Sequence, residues 1–319
     1  MTKGTSPLEN VALFDMSEVV VGKKIDSGGF CSVYEVRAFH PSAVTNFELS
    51  SSQVQAREAL SHNTNTRRHK EPQYVVKVLR SDLVRNPKKF RIASKDIETE
   101  SLFLSILDHQ NIVKLRGCAL GTGTFDERSQ HGRCFIIMDR LDGTLDDRII
   151  EWQHQMRRLK SGRLFGGVRD VTKRGIKRHR LLVERLRVAT EIASAIEYLH
   201  GKRMIYRDIK AGNVGITASG HAQLFDLGLC RFLPEESLAF EDSTYQMSGK
   251  VGTYRFMAPE IADARPYNEL ADTYSYVHLL YQILSLEKPY PTLSKQEHRK
   301  RVIDGGERPP IHSQWPRTI

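Results

Sequence analysis

No apolar run in the 319-residue chain approaches the roughly 18 residues that a membrane-spanning helix needs. Its start, MTKGTSPLEN, lacks both the apolar stretch of a secretory signal and the arginine-rich amphipathic character of a transit peptide. Cysteine is scarce. Cys31, Cys118, Cys134 and Cys230 are scattered without a CxxC pair or a metal-ligand spacing, which argues against a disulfide framework or a zinc site and for a reducing compartment, cytoplasmic or nuclear. There is no internal repeat. Acidic residues are nearly missing from one stretch, since residues 155–180 hold ten Lys or Arg against Asp170 alone. That stretch carries +9 of the formal net charge of +10, so the basic balance describes a segment and not the whole surface. It has no interleaved aromatic pattern and no nucleic-acid-binding module, and neither a nucleic-acid nor a membrane partner is expected.

What is there is an ordinary globular composition, 39% hydrophobic and 27% charged, on a chain long enough for one large domain or two lobes. Residues 1–15 mix Gly, Ser and Pro without periodicity and read as a tail. Residues 18–25 and 31–39, rich in β-branched and aromatic side chains, read as strands flanking the turn Asp26-Ser27-Gly28-Gly29-Phe30. Residues 40–73, rich in Ser, Asn, Thr, His and Arg, have the composition of an inserted, disordered loop. YVVKVL (74–79) reads as a strand, a helix follows through ETESLFLSIL, and strands follow at 112–118 and 133–138. From 181 to 200, Leu182, Leu186, Ala189, Ile192, Ile196 and Leu199 recur at helical spacing. Short strand-like pieces flank a turn at 206–213, and 270–285 reads as a buried helix. Strands first and helices after predict an α+β protein, sheet-rich over 16–140 and helical over 141–319, with a basic insertion at about 155–180.

Several patterns carry chemistry. Lys77 lies in VVKVL (75–79), a strand apolar on both faces, where an ammonium is costly to bury without a carboxylate partner. Glu98 and Glu100, ahead of LFLSIL, are the candidates for that partner. YRDIKAGN (206–213) presents a carboxylate, Asp208, with a cation and an amide at short spacing. Asp226-Leu227-Gly228 follows a short strand, and GTYRFMAPE spans 252–260. With the glycine-containing segment IDSGGFCSVY (25–34), these patterns in this order resemble the eukaryotic protein kinase family over about residues 18–310.

The resemblance implies a two-lobed fold, ATP and Mg²⁺ as cofactors, protein substrates and a signalling role. It implies Asp208 as the group that takes the substrate hydroxyl proton, Lys210 as neutraliser of the transferring phosphoryl group, and Asn213 and Asp226 as magnesium ligands. It places Ile25, Gly28, Val33, Lys77, Glu100, Met138, Asp139 and Leu141 around ATP, and Thr253 in the substrate-binding loop. Asp272 resembles the buried aspartate that supports the catalytic loop. Asp26 and Cys31 stand where the family's glycine loop has its outer glycines, so a non-catalytic scaffold is the alternative reading. The pattern D-x-K-x-x-N through Lys210 implies Ser/Thr specificity, with a lean to the tyrosine-kinase-like branch. Arg207 implies an activation segment ordered by a phosphate that an upstream kinase adds, with Ser248 favoured over Thr244. Its alternative is a pair with Glu241 or Asp242. The basic insertion reads as a solvated loop, an import-factor signal or a dock for an acidic partner. The family's later helices are expected beyond Ile319, which leaves the second lobe incomplete at its end.

Overall fold

Runs of Val, Ile, Tyr and Phe build a six-stranded sheet in the first part of the chain. Its strands are β1 (Ala12–Phe14), β2 (Val19–Ser27), β3 (Cys31–Phe39), β4 (Tyr74–Leu79), β5 (Leu115–Ala119) and β6 (Phe135–Asp139), in the order β1-β5-β6-β4-β3-β2. β1 runs parallel to β5, and every other neighbouring pair is antiparallel. The computed structural model describes residues 7–46, 49–65, 72–120, 134–161, 168–311 and 315. It divides into two units, Met1–Arg140 with Asp226–Gly228, and Leu141–Phe225 with Leu229–Ile319.

Two expectations for the first unit are corrected. Part of the tail expected over 1–15 is a strand, because Phe14 is fully buried and stacks on Phe39 at 4.8 Å between ring centroids. The inserted loop expected over 40–73 contains α1 (Ala43–Asn46) and α2 (Ser51–Asn65), while residues 66–71 lie outside the described residues. α2 packs on the sheet through Ala56 and Leu60. It also buries Arg57, which donates to the Leu13 carbonyl and to Glu18 Oε1, each at 2.7 Å, and lies 4.9 Å from the centroid of the Phe14 ring. α3 (Pro87–Ile106) starts where the Asn86 side chain accepts the N–H of Lys89 and Pro87 takes the first helical position. Its inward face carries Ile97, Glu100, Phe103 and Leu104.

The second unit is mainly helical, with α4 (Leu145–Ser161), α5 (Val168–Gly201), α6 (Pro259–Ala262), α7 (Leu270–Ser285) and α8 (Lys295–His298). Short strands complete it: β7 (Gly143–Thr144), β8 (Met204–Ile205), β9 (Val214–Ile216), β10 (Ala222–Leu224) and β11 (Arg231–Phe232). They form a sheet β10-β9-β7 and a pair β11-β8. α5 buries Ala189, Ile192, Ile196 and Leu199 as expected, and Val188 with them. Towards its start the buried face turns to Leu181 and Arg185, with Leu182 and Leu186 at its margin. The basic segment departs from the loop reading, because α4 runs through to Ser161 and α5 begins at Val168. Residues 162–167 lie outside the described residues. Among the described residues no helix is long and apolar enough to cross a membrane.

Candidate active site

In the first unit β4 delivers Lys77 from the middle of the sheet. Its ammonium donates to Glu100 Oε2 of α3 at 2.6 Å and to Asp226 Oδ1 at 2.9 Å. Burial works against its charge, but the attraction of Glu100 and Asp226 outweighs burial and the net shift of its pKa is upward. The structure thus brings together Lys77, Glu100 and Asp226, and Glu98 is not the partner. Asp226 occupies a left-handed backbone position, φ 64°, which is strained for a non-glycine residue.

The turn between β2 and β3 holds Gly28 and Gly29. A side chain at Gly28 would meet only the Cys31 carbonyl oxygen at 3.8 Å, and one at Gly29 would meet nothing within 4 Å. Neither glycine has a positive φ, so nothing in the protein's own packing demands glycine there. A ligand whose phosphates come close to the backbone does demand it. Val33 pairs with Lys77 across β3 and β4, Ile25 is exposed on β2, and Met138 is buried on β6. Asp139 is held by Arg116 through two bonds of 2.7 and 2.8 Å, a pairing that the sequence did not signal. Leu141 belongs to the second unit. The N–H of the next residue, Asp142, goes to the Ile216 carbonyl, and among the described residues Leu141 N–H has no protein acceptor.

In the second unit Asp272 of α7, fully buried, organises the loop after β8. Its carboxylate accepts the backbone N–H groups of Tyr206 (2.7 Å) and Arg207 (2.8 Å), and its Oδ2 lies 3.0 Å from His200 Nε2. Tyr206, where the family resemblance has histidine, donates its hydroxyl to the Phe225 carbonyl. Asp208 is gripped on both oxygens. Thr253 Oγ1 donates to Oδ1 at 2.7 Å, while Lys210 Nζ and Asn213 Nδ2 donate to Oδ2 at 2.6 and 2.9 Å. Lys210 also reaches Thr253 Oγ1 at 3.0 Å. Asn213 turns its NH₂ to Asp208, which leaves the oxygen end of its amide as the donor atom it can offer a cation. Gly252 is required here: its φ is 90° and a Cβ would lie 2.3 Å from the Arg207 carbonyl oxygen.

Arg207 (φ 71°) is buried, and its guanidinium donates to the Leu229 carbonyl at 2.7 Å, to Ser248 Oγ at 2.8 Å and to Tyr267 OH at 3.1 Å. Ser248 is therefore brought to Arg207. Thr244 is not, because its hydroxyl donates to Asp242 at 2.6 Å. Tyr267 closes the cluster by donating to the Ser248 carbonyl at 2.7 Å. It had no signal in the sequence, since only folding brings it near Arg207.

Carboxylate and amide oxygens suit Mg²⁺, which prefers a few such donors together with phosphate and water. Asp226 in the first unit offers such a carboxylate, and Asn213 in the second such an amide oxygen.

Comparison with known proteins adds a family match. The chain matches the protein kinase domain over residues 62–317. It is 32% identical over 126 residues to serine/threonine-protein kinase STY17 of Arabidopsis thaliana, covering 40% of this chain and 21% of that protein. It is 28% identical over 205 residues to cAMP-dependent protein kinase type 3 of Saccharomyces cerevisiae, covering 64% and 41% respectively. Serine/threonine/tyrosine-protein kinase HT1 of Arabidopsis thaliana is 29% identical over 126 residues, 40% of this chain and 30% of that protein. The chain thus spans less than half the length of these relatives.

Proposed function

With the protein kinase domain matching most of its length, the chain belongs to the protein kinase family, and on that premise we propose that it transfers the terminal phosphoryl group of ATP to serine and threonine hydroxyls of other proteins. The observation that carries this reading is the threefold hold on the Asp208 carboxylate by Thr253, Lys210 and Asn213, which fixes it for proton transfer. In the step, the substrate hydroxyl oxygen bonds to the γ-phosphorus, its proton passes to Asp208, and the bond to the bridging oxygen breaks to release ADP. Lys210, beside Asp208, neutralises the phosphoryl oxygens. Lys77, held charged by Glu100, positions the α- and β-phosphates. Asp226 and Asn213 are the residues that would hold Mg²⁺, which supplies charge neutralisation when bound. Ile25, Val33 and Met138 with the backbone of Asp139 and Leu141 take the adenine, and Gly28 lets the loop close on the phosphates.

The first unit is read as the nucleotide lobe and the second as the substrate lobe. Ser248 is read as the regulatory acceptor, because a phosphate there would meet the Arg207 fork. A second reading, nucleotide binding without transfer, is favoured by Asp26, which puts a carboxylate into the loop that should face phosphates. Asp26 Oδ1 is engaged by the N–H of Ser27 at 2.7 Å.

The test is incubation of the full chain with Mg-ATP and a mixed protein substrate, followed by phosphoamino-acid analysis, with Asp208→Asn as control. Phosphoserine and phosphothreonine are expected, and the variant should lose about 10²–10⁴-fold in kcat while keeping its thermal midpoint. Calorimetric ATP binding with no transfer by the wild type would replace this reading by the scaffold. Transfer by Asp208→Asn at the wild-type rate would sink the assigned role.

A further inference from the structure

The cations of the second unit's helical hairpin play no part in the chemistry above. α4 and α5 run antiparallel, held by Arg148 on Glu184 (Nε, 3.1 Å) and by Arg178 Nη2 on the Leu159 carbonyl (3.3 Å). Towards the tip, Arg157, Arg158, Lys173, Lys177, Arg178 and Arg180 are all exposed. From residue 152 to 183 the sequence has one acidic residue, Asp170. Lys173 and Lys177 stand four apart on α5, as do Arg174 and Arg178, a spacing at which like charges repel and weaken a helix. An anion laid along that face relieves the repulsion.

The chemistry of the surface selects among anions. Arginine forks match carboxylates two bonds at a time. Ile176 and Val183, each about half exposed and seven residues apart on one face, offer apolar contact to peptide side chains. A phosphate backbone has no use for them, and two aliphatic residues do not make the apolar face that a bilayer surface requires. The aromatic residue nearest these cations among the described residues of α4, Trp152, is fully buried and provides no stacking platform for single-stranded nucleic acid. The geometry points to the face of this hairpin that carries Arg157, Arg158, Lys173, Lys177, Arg178 and Arg180 as a docking surface for a carboxylate-rich segment of the protein substrate, an inference that rests on the kinase activity proposed above.

α5 sets the spacing that such a substrate needs. His200, near its far end, meets Asp272, the same carboxylate that holds the N–H groups of Tyr206 and Arg207 ahead of Asp208. Lys177 and His200 are therefore about 35 Å apart along the helix at about 1.5 Å per residue. An extended chain covers about 3.3 Å per residue, so the acidic segment must lie at least about 10 residues from the phosphorylated hydroxyl. A tract beside the acceptor gains nothing.

The experiment uses the full chain and the triple variant Lys173→Gln, Lys177→Gln, Arg180→Gln, in which exposed helix formers replace exposed helix formers. Three peptides are compared: an acceptor sequence alone, and the same sequence with a run of glutamates about 4 or about 15 residues away. A glutamate-run peptide with a fluorescent label reports binding by anisotropy. The distant tract should lower KM roughly tenfold, the near tract should not, and the gain should fade as salt rises. The triple variant should lose that gain while keeping kcat and KM for the acceptor alone. No gain from the distant tract, or an equal gain in the triple variant, overturns the docking surface, and turnover of the acceptor alone then keeps the kinase reading intact. If no peptide turns over, the kinase reading fails. Glutamate-run binding that the triple variant abolishes would still support the surface, and binding that it leaves unchanged would overturn it. Tighter binding of duplex DNA or phosphatidylserine vesicles than of the glutamate run at equal salt overturns the choice of partner.

Discussion

At the scale of single residues, burial of ionisable groups does most of the positioning. Lys77 and Glu100 are tolerable inside the first unit only as a pair, and Arg57 and Glu18 repeat the arrangement on the other side of the sheet. His278 is a buried group with no such partner. It stacks on Tyr274 at 4.3 Å, with Nδ1 2.8 Å from the Tyr274 carbonyl oxygen and Nε2 3.2 Å from Tyr290 OH. Burial, with Arg308 and His298 adding to it, pulls its pKa from the ordinary 6.5 down to about 4, against the opposing effect of the Tyr274 carbonyl. Between those two values the unfolded chain takes up a proton that the folded chain refuses. Stability is therefore full above pH 6.5 and falls by up to about 1.4 kcal/mol per pH unit as the pH drops towards 4. His278→Gln should flatten that slope. Urea midpoints at a series of pH values check it, and a wild-type-minus-variant difference that stays constant from neutral pH down to the acid limit would show that this histidine is not the cause.

Elements differ in how openly their sequence announces them. YVVKVL at 74–79 and the run 270–285 coincide with β4 and α7 to the residue, because each is apolar along the face it buries. α2 was hidden. Its composition is that of a loop, and its most buried side chain is Arg57, whose partners Leu13 and Glu18 lie about forty positions away in the chain. Glu18 is itself buried, which opposes ionisation, yet the bonds from Ser42 N–H, the Arg57 guanidinium and Asp15 N–H hold its pKa below the usual carboxylate range. Arg57→Met leaves that carboxylate without its cation and should cost about 3–5 kcal/mol. The double variant with Glu18→Gln should recover much of the loss. A single variant within about 1 kcal/mol of the wild type in chemical denaturation would mean that the ion pair is not what seats α2.

The segment 226–260 belongs to the same scale. Arg207 already donates to the Ser248 and Tyr267 hydroxyls and to the Leu229 carbonyl, so a phosphate on Ser248 would add charge to an existing contact. Phosphatase treatment should lower activity roughly tenfold and Ser248→Ala should mimic it, because only the charged contact reaches a strength of about 1.5–3 kcal/mol. Thr244→Ala should be silent, since Thr244 bonds only within its own turn. Full activity after complete dephosphorylation would remove Ser248 from regulation.

Over the whole molecule, charge is the property that composition misreports. A net charge of +10 suggests a basic surface, yet +9 of it lies in residues 155–180, and the remainder is close to neutral. The order of motifs, the identities of Lys77, Asp208, Asn213 and Asp226, and the sheet-then-helix succession could all be read directly from the chain. They are local: a short run of residues must carry both the chemistry and the backbone that presents it. Other features had no local signature. Among them are the closure of Tyr267 on Arg207 and Ser248, the grip of Arg116 on Asp139, and the helices in the two basic or polar insertions. Each depends on contacts between residues far apart in sequence, where burial turns a weak surface pairing into an obligatory one, and composition averaged along a segment carries no record of which partner folding will supply.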